Sequence, residues 1–199
     1  MAIYAFVSEI SQVHVWGLDA EQRLRRQLYE VGKIIKGDFS QISWVDDMDD
    51  LPDTGQILLF NGGFVFENRT IEGVIANPNG ALQYENETTA AFVDAEFAAQ
   101  VIDHMRDRNR TLPDVLAVIN PRDLKAFDTN LRRSTKPLLE RVSADSKDEL
   151  ENKLYGNAYR GITDLVTKFV WPRPAKKAVH VCASLGFTPN MVTTIGLLL

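Results

Sequence analysis

After Gln56, Ile57-Leu58-Leu59-Phe60 runs without polar interruption into Asn61-Gly62-Gly63. A strand with one solvated face alternates apolar and polar side chains, so a continuous apolar strand has to be covered on both faces. That requirement selects an α/β fold: a mixed or mostly parallel central sheet with flanking helices. The remaining pattern agrees. Residues 2–7 are a short β-prone run that reads as a buried first strand. Asp19 has the position of an N-cap, with Gln22 three residues on, and Leu24, Leu28 and Val31 share one helical face that Gly32 is expected to end. A strand near residues 41–45 and an acidic turn over 46–53 follow.

Beyond Phe64-Val65-Phe66, a short helix is expected over residues 68–76, closed by the turn Asn77-Pro78-Asn79-Gly80. Residues 81–84 and 90–93 read as paired strands around a polar tip at 85–88. Residues 94–105 form the next helix through Phe97, Val101 and Met105, and residues 106–110 are polar and exposed. Between 113 and 146 the periodicity is weak.

Composition narrows the class. The chain has 199 residues, 45% hydrophobic and 25% charged, which fits one domain with an appendage and excludes general disorder. Charge is divided unevenly: residues 1–128 carry 11 basic and 21 acidic side chains, net −10, whereas residues 129–199 carry 11 and 6, net +5. The acidic body argues against nucleic acid as a partner. Cys182, the single cysteine, has no partner for an internal disulfide and reads as packing in an apolar helix, in keeping with a reducing compartment. Residues 1–10 lack the basic start and cleavage site of a signal peptide, so none is expected there.

The α/β order resembles that of sugar-phosphate and alcohol-phosphate nucleotidyltransferases. Such enzymes hold a triphosphate on a glycine-rich loop with a basic residue after the first strand, and Mg²⁺ on a carboxylate at the end of a central strand. Here the first glycine after strand one is Gly17, and the strand over 57–60 ends in neutral Asn61. Two requirements are unmet, which points to a catalytically inactive domain in which Asn61-Gly62-Gly63 is a tight turn. Arg23, Arg25 and Arg26 read as a solvated face balanced by Glu21 and Glu30. Asp46, Asp47, Asp49 and Asp50 lack the glycine and distal glutamate of a calcium loop and read as an acidic turn. His14, His104 and His180 are scattered without metal-ligand or triad spacing.

The last forty-five residues are different. A helix from Tyr155 carries Arg160, Asp164 and Lys168 on one face and breaks at Trp171-Pro172-Arg173-Pro174. A basic helix with Lys176 and Lys177 follows, and from Pro189 the chain is mostly apolar to Leu199. A basic segment leading into an apolar run is the order found where a cytoplasmic segment enters a bilayer. Nine residues follow Asn190, against the twenty or so that a spanning helix needs. The expectation is therefore that residues 189–199 begin a first transmembrane helix.

Three motifs, LRRSTKP at 131–137, YGNAYRGITDLVTKFVWPRPA at 155–175 and GFTPNMVT at 186–193, resemble the CDP-alcohol phosphatidyltransferase family, in particular bacterial members with a nucleotidyltransferase-like domain ahead of the membrane domain. The resemblance implies a cytoplasmic domain over residues 1–144, juxtamembrane helices over 145–188 and a membrane entry from 189. It implies that the parent protein lies in the cytoplasmic membrane and uses Mg²⁺ to transfer a phospho-alcohol group from a CDP-linked donor to an alcohol acceptor, releasing CMP. A CDP-linked alcohol or lipid would be the substrate, with a homodimer as a possible assembly. By the same resemblance, Pro189, Asn190 and Thr193 contribute to the donor pocket; Thr188 as N-cap and Pro189 at the first helical position account for the same residues as a helix start. The family's acidic motif, Asp-x-x-Asp-Gly-x-x-Ala-Arg with two further aspartates, does not occur in this sequence, so no catalytic or metal-binding residue is assigned and the chain alone is expected to be inactive. Arg160, Asp164 and Lys168 either pair with one another or lie along the membrane. Arg132, Arg133 and Lys136 contact headgroups or substrate phosphate, or pair with the acidic body. An active cytidylyltransferase and a non-catalytic scaffolding module remain as alternatives.

Overall fold

The structure, a computed structural model, describes residues 2–35, 42–124, 127–128, 133–134, 137–158 and 170–198. Its centre is a six-stranded sheet made of β1 (Ile3–Ser8), β2 (Ile42–Trp44), β3 (Gln56–Asn61), β5 (Gly80–Tyr84), β6 (Glu87–Asp94) and β7 (Ala117–Ile119), in the order β2-β1-β3-β6-β5-β7. β1 pairs in parallel with β2 and β3, and β5 with β7, while β6 is antiparallel to both of its neighbours. Five strands thus share one direction and β6 opposes them.

The apolar run in β3 explains the layering. Leu58 and Phe60 point into a core with Leu24, Leu28 and Val31 of α1 (Ala20–Ile34) and with Ile71 and Val74 of α2 (Asn68–Ile75). Ile57 and Leu59 point the other way, onto Ala98, Val101 and Ile102 of α3 (Ala95–Arg106). Residues 57–60 are all 0% exposed, and each such side chain is worth about 1.5–3 kcal/mol of burial. β5 and β6 are joined at Glu85-Asn86, both in the left-handed region (φ 51° and 64°), the turn geometry that matches strand twist in a two-residue hairpin. The hairpin is therefore tighter than the four-residue tip read from the sequence.

Asp19 caps α1 as expected, its Oδ1 accepting the Gln22 N–H at 2.7 Å. The helix does not end at Gly32. It continues to Ile34, and the Ile35 N–H closes on the Val31 carbonyl at 2.9 Å. Gly32 lies on the buried face, where packing outweighs the roughly 1 kcal/mol helix penalty of glycine.

The weakly patterned stretch adds a second, two-stranded sheet: β10 (Leu139–Arg141) pairs antiparallel with β4 (Phe64–Phe66). The two-residue strands β8 (Phe127–Asp128) and β9 (Arg133–Ser134) pair with each other. α4 (Lys147–Ala158) begins well before Tyr155, after Ser143 and Ser146 bond to each other's backbone N–H groups. Its Leu150 packs with Val15, Val65 and Val142. Arg160, Asp164 and Lys168 lie outside the described residues, as does most of the LRRSTKP motif. α5 (Pro172–Ser184) and α6 (Pro189–Leu198) complete the described chain, with Trp171 exposed at the start of α5.

Candidate functional site

Polar and apolar groups gather at two places: the carboxyl edge of the sheet, and the seam where α5 and α6 meet the body.

The order in which strands are added reverses between β1 and β3, since the chain goes from β1 outward to β2 on one side and then to β3 on the other. In open α/β sheets ligands bind outside the strand ends at such a switch point. Here the crevice is occupied by the protein's own backbone. The Gly62 N–H donates to the Ser8 carbonyl at 2.7 Å, and a Cβ at Gly62 would lie 3.0 Å from the Cα of Ile10. Asn61 is 4% exposed, and its Oδ1 accepts the Gly63 N–H at 2.8 Å. The side chain that would have to carry a metal is therefore an amide committed to its own turn. Among the described residues there is no group of three or more His, Cys, Asp or Glu placed to hold a metal ion.

The acidic turn is a single 3₁₀ turn in which the Asp47 carboxylate accepts the Asp49 N–H at 3.1 Å. Asp46 pairs with Arg25 at 2.7 Å, and Arg25 also pairs with Glu21 and lies over the Trp44 ring, 4.3 Å from its centroid. Arg23 departs from the solvated-face reading. Its Nη1 is buried without a hydrogen-bond partner, and burial pulls the guanidinium below its usual pKa, only partly offset by Asp19. Glu87 binds both Arg108 and Arg141, and Arg141 also covers the Phe64 ring.

The seam is built around the turn Val15-Trp16-Gly17-Leu18. Val15 and Leu18 exchange backbone hydrogen bonds at 3.0 and 3.2 Å, and the two central residues are left-handed (φ 52° and 74°). A bulky residue such as Trp16 adopts that region only where its surroundings enforce it. Glu151 of α4, 4% exposed, accepts the Trp16 N–H at 2.8 Å. His180 of α5 stands 3.9 Å from the same carboxylate, and its ring meets the indole edge-on at 6.0 Å. The Tyr155 ring also meets Trp16, tilted, with centroids 5.9 Å apart. Gly17 lies under α5, where a Cβ would come within 3.0 Å of the Ala183 carbonyl oxygen.

α5 ends in a full C-terminal cap. The Gly186 N–H (φ 73°) donates to Ala183 and the Phe187 N–H to Cys182, the paired bonds that close a helix on a left-handed glycine. Thr188 starts the next helix at once, its Oγ1 accepting the Met191 N–H at 3.4 Å. Between the turn, α1, α5 and α6 lies a cavity of about 500 Å³, lined by Trp16, Leu18, Val179, Phe187 and Val192 with Arg26 as its charged member. Cys182, expected to be packing, also lines it.

Of the residues expected to form a donor pocket, Pro189 opens α6, and Asn190 and Thr193 are exposed one turn apart. Neither Asn190 nor Thr193 lines the cavity, whereas their neighbours Thr188 and Val192 do. Arg26, Glu151 and His180 gain importance only in three dimensions; the dipeptide Trp16-Gly17 is the one local signal of the turn that gathers them. Compared with known proteins, the sequence matches no family model and no curated protein.

Proposed function

We propose that this chain is the cytoplasmic portion of a membrane CDP-alcohol phosphatidyltransferase. In this reading residues 1–144 are a nucleotidyltransferase-like domain without catalysis of its own, residues 145–188 are juxtamembrane helices, and residues 189–199 begin the first transmembrane helix of the cytoplasmic membrane. The observation that carries it is the succession of α5 and α6. α5 is basic through Arg173, Lys176 and Lys177, no acidic residue occurs from 170 onward, and an apolar helix follows after a single capped break. Anionic headgroups favour such cations, and Trp171 with exposed Val170 suits the interfacial layer. No helix among the described residues is long and apolar enough to cross a membrane. α6, at ten residues, spans about 15 Å of the roughly 30 Å that a crossing requires.

The nucleotidyltransferase-like assignment is a fold-level analogy supported by the sheet order and the single reversed strand. Its lack of catalysis is supported by the turn at Asn61-Gly62-Gly63, which fills the switch-point crevice. The family reaction and its donor, acceptor and Mg²⁺ belong to the parent protein, with Pro189, Asn190 and Thr193 as contributors to the donor pocket. The domain reading is tested by thermal melting of the chain with Mg²⁺ and either CTP or a CDP-glycerol-type donor. No CTP shift is expected. A magnesium-dependent rise with CTP, about 2.7 kcal/mol at one hundred times the dissociation constant, would overturn it and make the domain a working cytidylyltransferase.

A further inference from the structure

We infer that the cavity between the Trp16 turn, α5 and α6 binds one acyl chain of an anionic phospholipid, with Arg26 holding the headgroup. The inference rests on the membrane-facing part of the proposed function and adds a specific site to it.

Charge identifies the occupant. Among the described residues, Arg26 is the only charged side chain on the cavity lining and has no ion-pair or hydrogen-bond partner. Arg23, three residues earlier on the same helix, also has a buried nitrogen without a partner. α5 adds three cations, and neither α5 nor α6 contributes a carboxylate to neutralise them. An isolated guanidinium at the edge of an apolar site is complementary to a phosphate, which it engages with two parallel N–H groups.

Shape and position identify the rest. About 500 Å³ is an ordinary ligand-site volume, and here the lining other than Arg26 is almost entirely hydrocarbon and aromatic ring. Two of its lining residues, Phe187 and Val192, are themselves exposed apolar surface, on a stretch that also exposes Leu185 and Ile195. A lipid tail rising from a bilayer along that surface would reach the cavity without crossing charged groups. The turn beneath is held by Glu151 and by the Gly17 approach to α5, so the site needs little reorganisation on binding.

The test is calorimetric titration of the chain with dioctanoyl phosphatidylglycerol below its micelle concentration, alongside the phosphatidylcholine of equal chain length. Saturable one-to-one binding is expected, weaker by about tenfold for the zwitterionic lipid and for Arg26→Glu. Val179→Trp, which fills the cavity, should abolish it, with far-UV circular dichroism confirming that both variants remain folded. Absence of saturable binding, equal binding of the two lipids, or wild-type binding by Val179→Trp would overturn the inference. So would self-association of the lipid-free chain that Val179→Trp disrupts, since a second copy would then be the occupant. Flotation with phosphatidylglycerol vesicles separates this from the broader reading. Vesicle binding without monomer binding sinks the cavity site alone, and loss of both sinks the membrane reading as well.

Discussion

Gly17→Ala measures how firmly α5 is joined to the body. Gly17 sits at φ 74°, where an L-residue with a Cβ costs about 1–2 kcal/mol, and its new Cβ would lie 3.0 Å from the Ala183 carbonyl oxygen. That oxygen belongs to helix backbone and cannot turn aside, so α5 has to withdraw by a few tenths of an ångström. Withdrawal loosens the Trp16–His180 contact and the cavity together. Gly186→Ala is the control, because Gly186 has nearly the same φ, 73°, and a Cβ there would meet nothing within 4 Å. It carries the backbone cost without the contact. In thermal unfolding Gly186→Ala should cost about 1 kcal/mol and Gly17→Ala about 2, shifts of about 2–4 °C and 4–8 °C for a chain of this size. Hydrogen exchange over α5 should rise in the Gly17 variant alone. Equal losses in the two variants, with α5 exchange unchanged in both, would refute the docking of α5 on the Trp16 turn.

Arg23→Met should leave stability unchanged or raise it by about 1 kcal/mol in denaturant unfolding, because it removes a buried donor without a partner while keeping the aliphatic stem; a loss beyond about 1 kcal/mol would mean that Arg23 is satisfied in a way the geometry does not show. Stability should fall as pH rises above about 10. Lys153 is held above its usual pKa chiefly by its hydrogen bond to Glu140 and then by that to Glu149, and Tyr84 is held up chiefly by burial. A pKa raised in the folded state contributes stability that is complete below the unfolded value and is lost as pH rises through the folded one. The melting midpoint followed from pH 8 to 11, with Lys153→Met flattening the alkaline fall, checks this; an unaltered fall in that variant would remove Lys153 from the account.

How much of this is legible in the sequence depends on how local each cause is. The β3 run implies a sheet covered on both faces, and alternate residues 57–60 do face α1/α2 and α3. The Asp19 cap depends on residues three apart and is readable for the same reason. Gly32 misleads because a helix end and a close-packed helix interior both use glycine, and only tertiary packing separates them. β10 escapes a reading of periodicity because three residues pairing with β4 across more than seventy positions leave no period in the sequence. Within the seam, Thr188 and Pro189 announce a helix start, but nothing local links Trp16 to Glu151, 135 residues away. Arg23 reads as solvated because a helical wheel does not reveal how far the fold buries it, whereas Arg26 is exposed as read.

Flotation of the chain with phosphatidylglycerol vesicles, against phosphatidylcholine vesicles, tests the central claim most directly. The account predicts that the chain rises with the anionic vesicles and that a combined Arg173→Gln, Lys176→Gln, Lys177→Gln variant rises far less, each lost cation being worth about 1 kcal/mol at such a surface. A wild-type chain that stays at the bottom of the gradient with both vesicle types would contradict a membrane-facing role for α5 and α6.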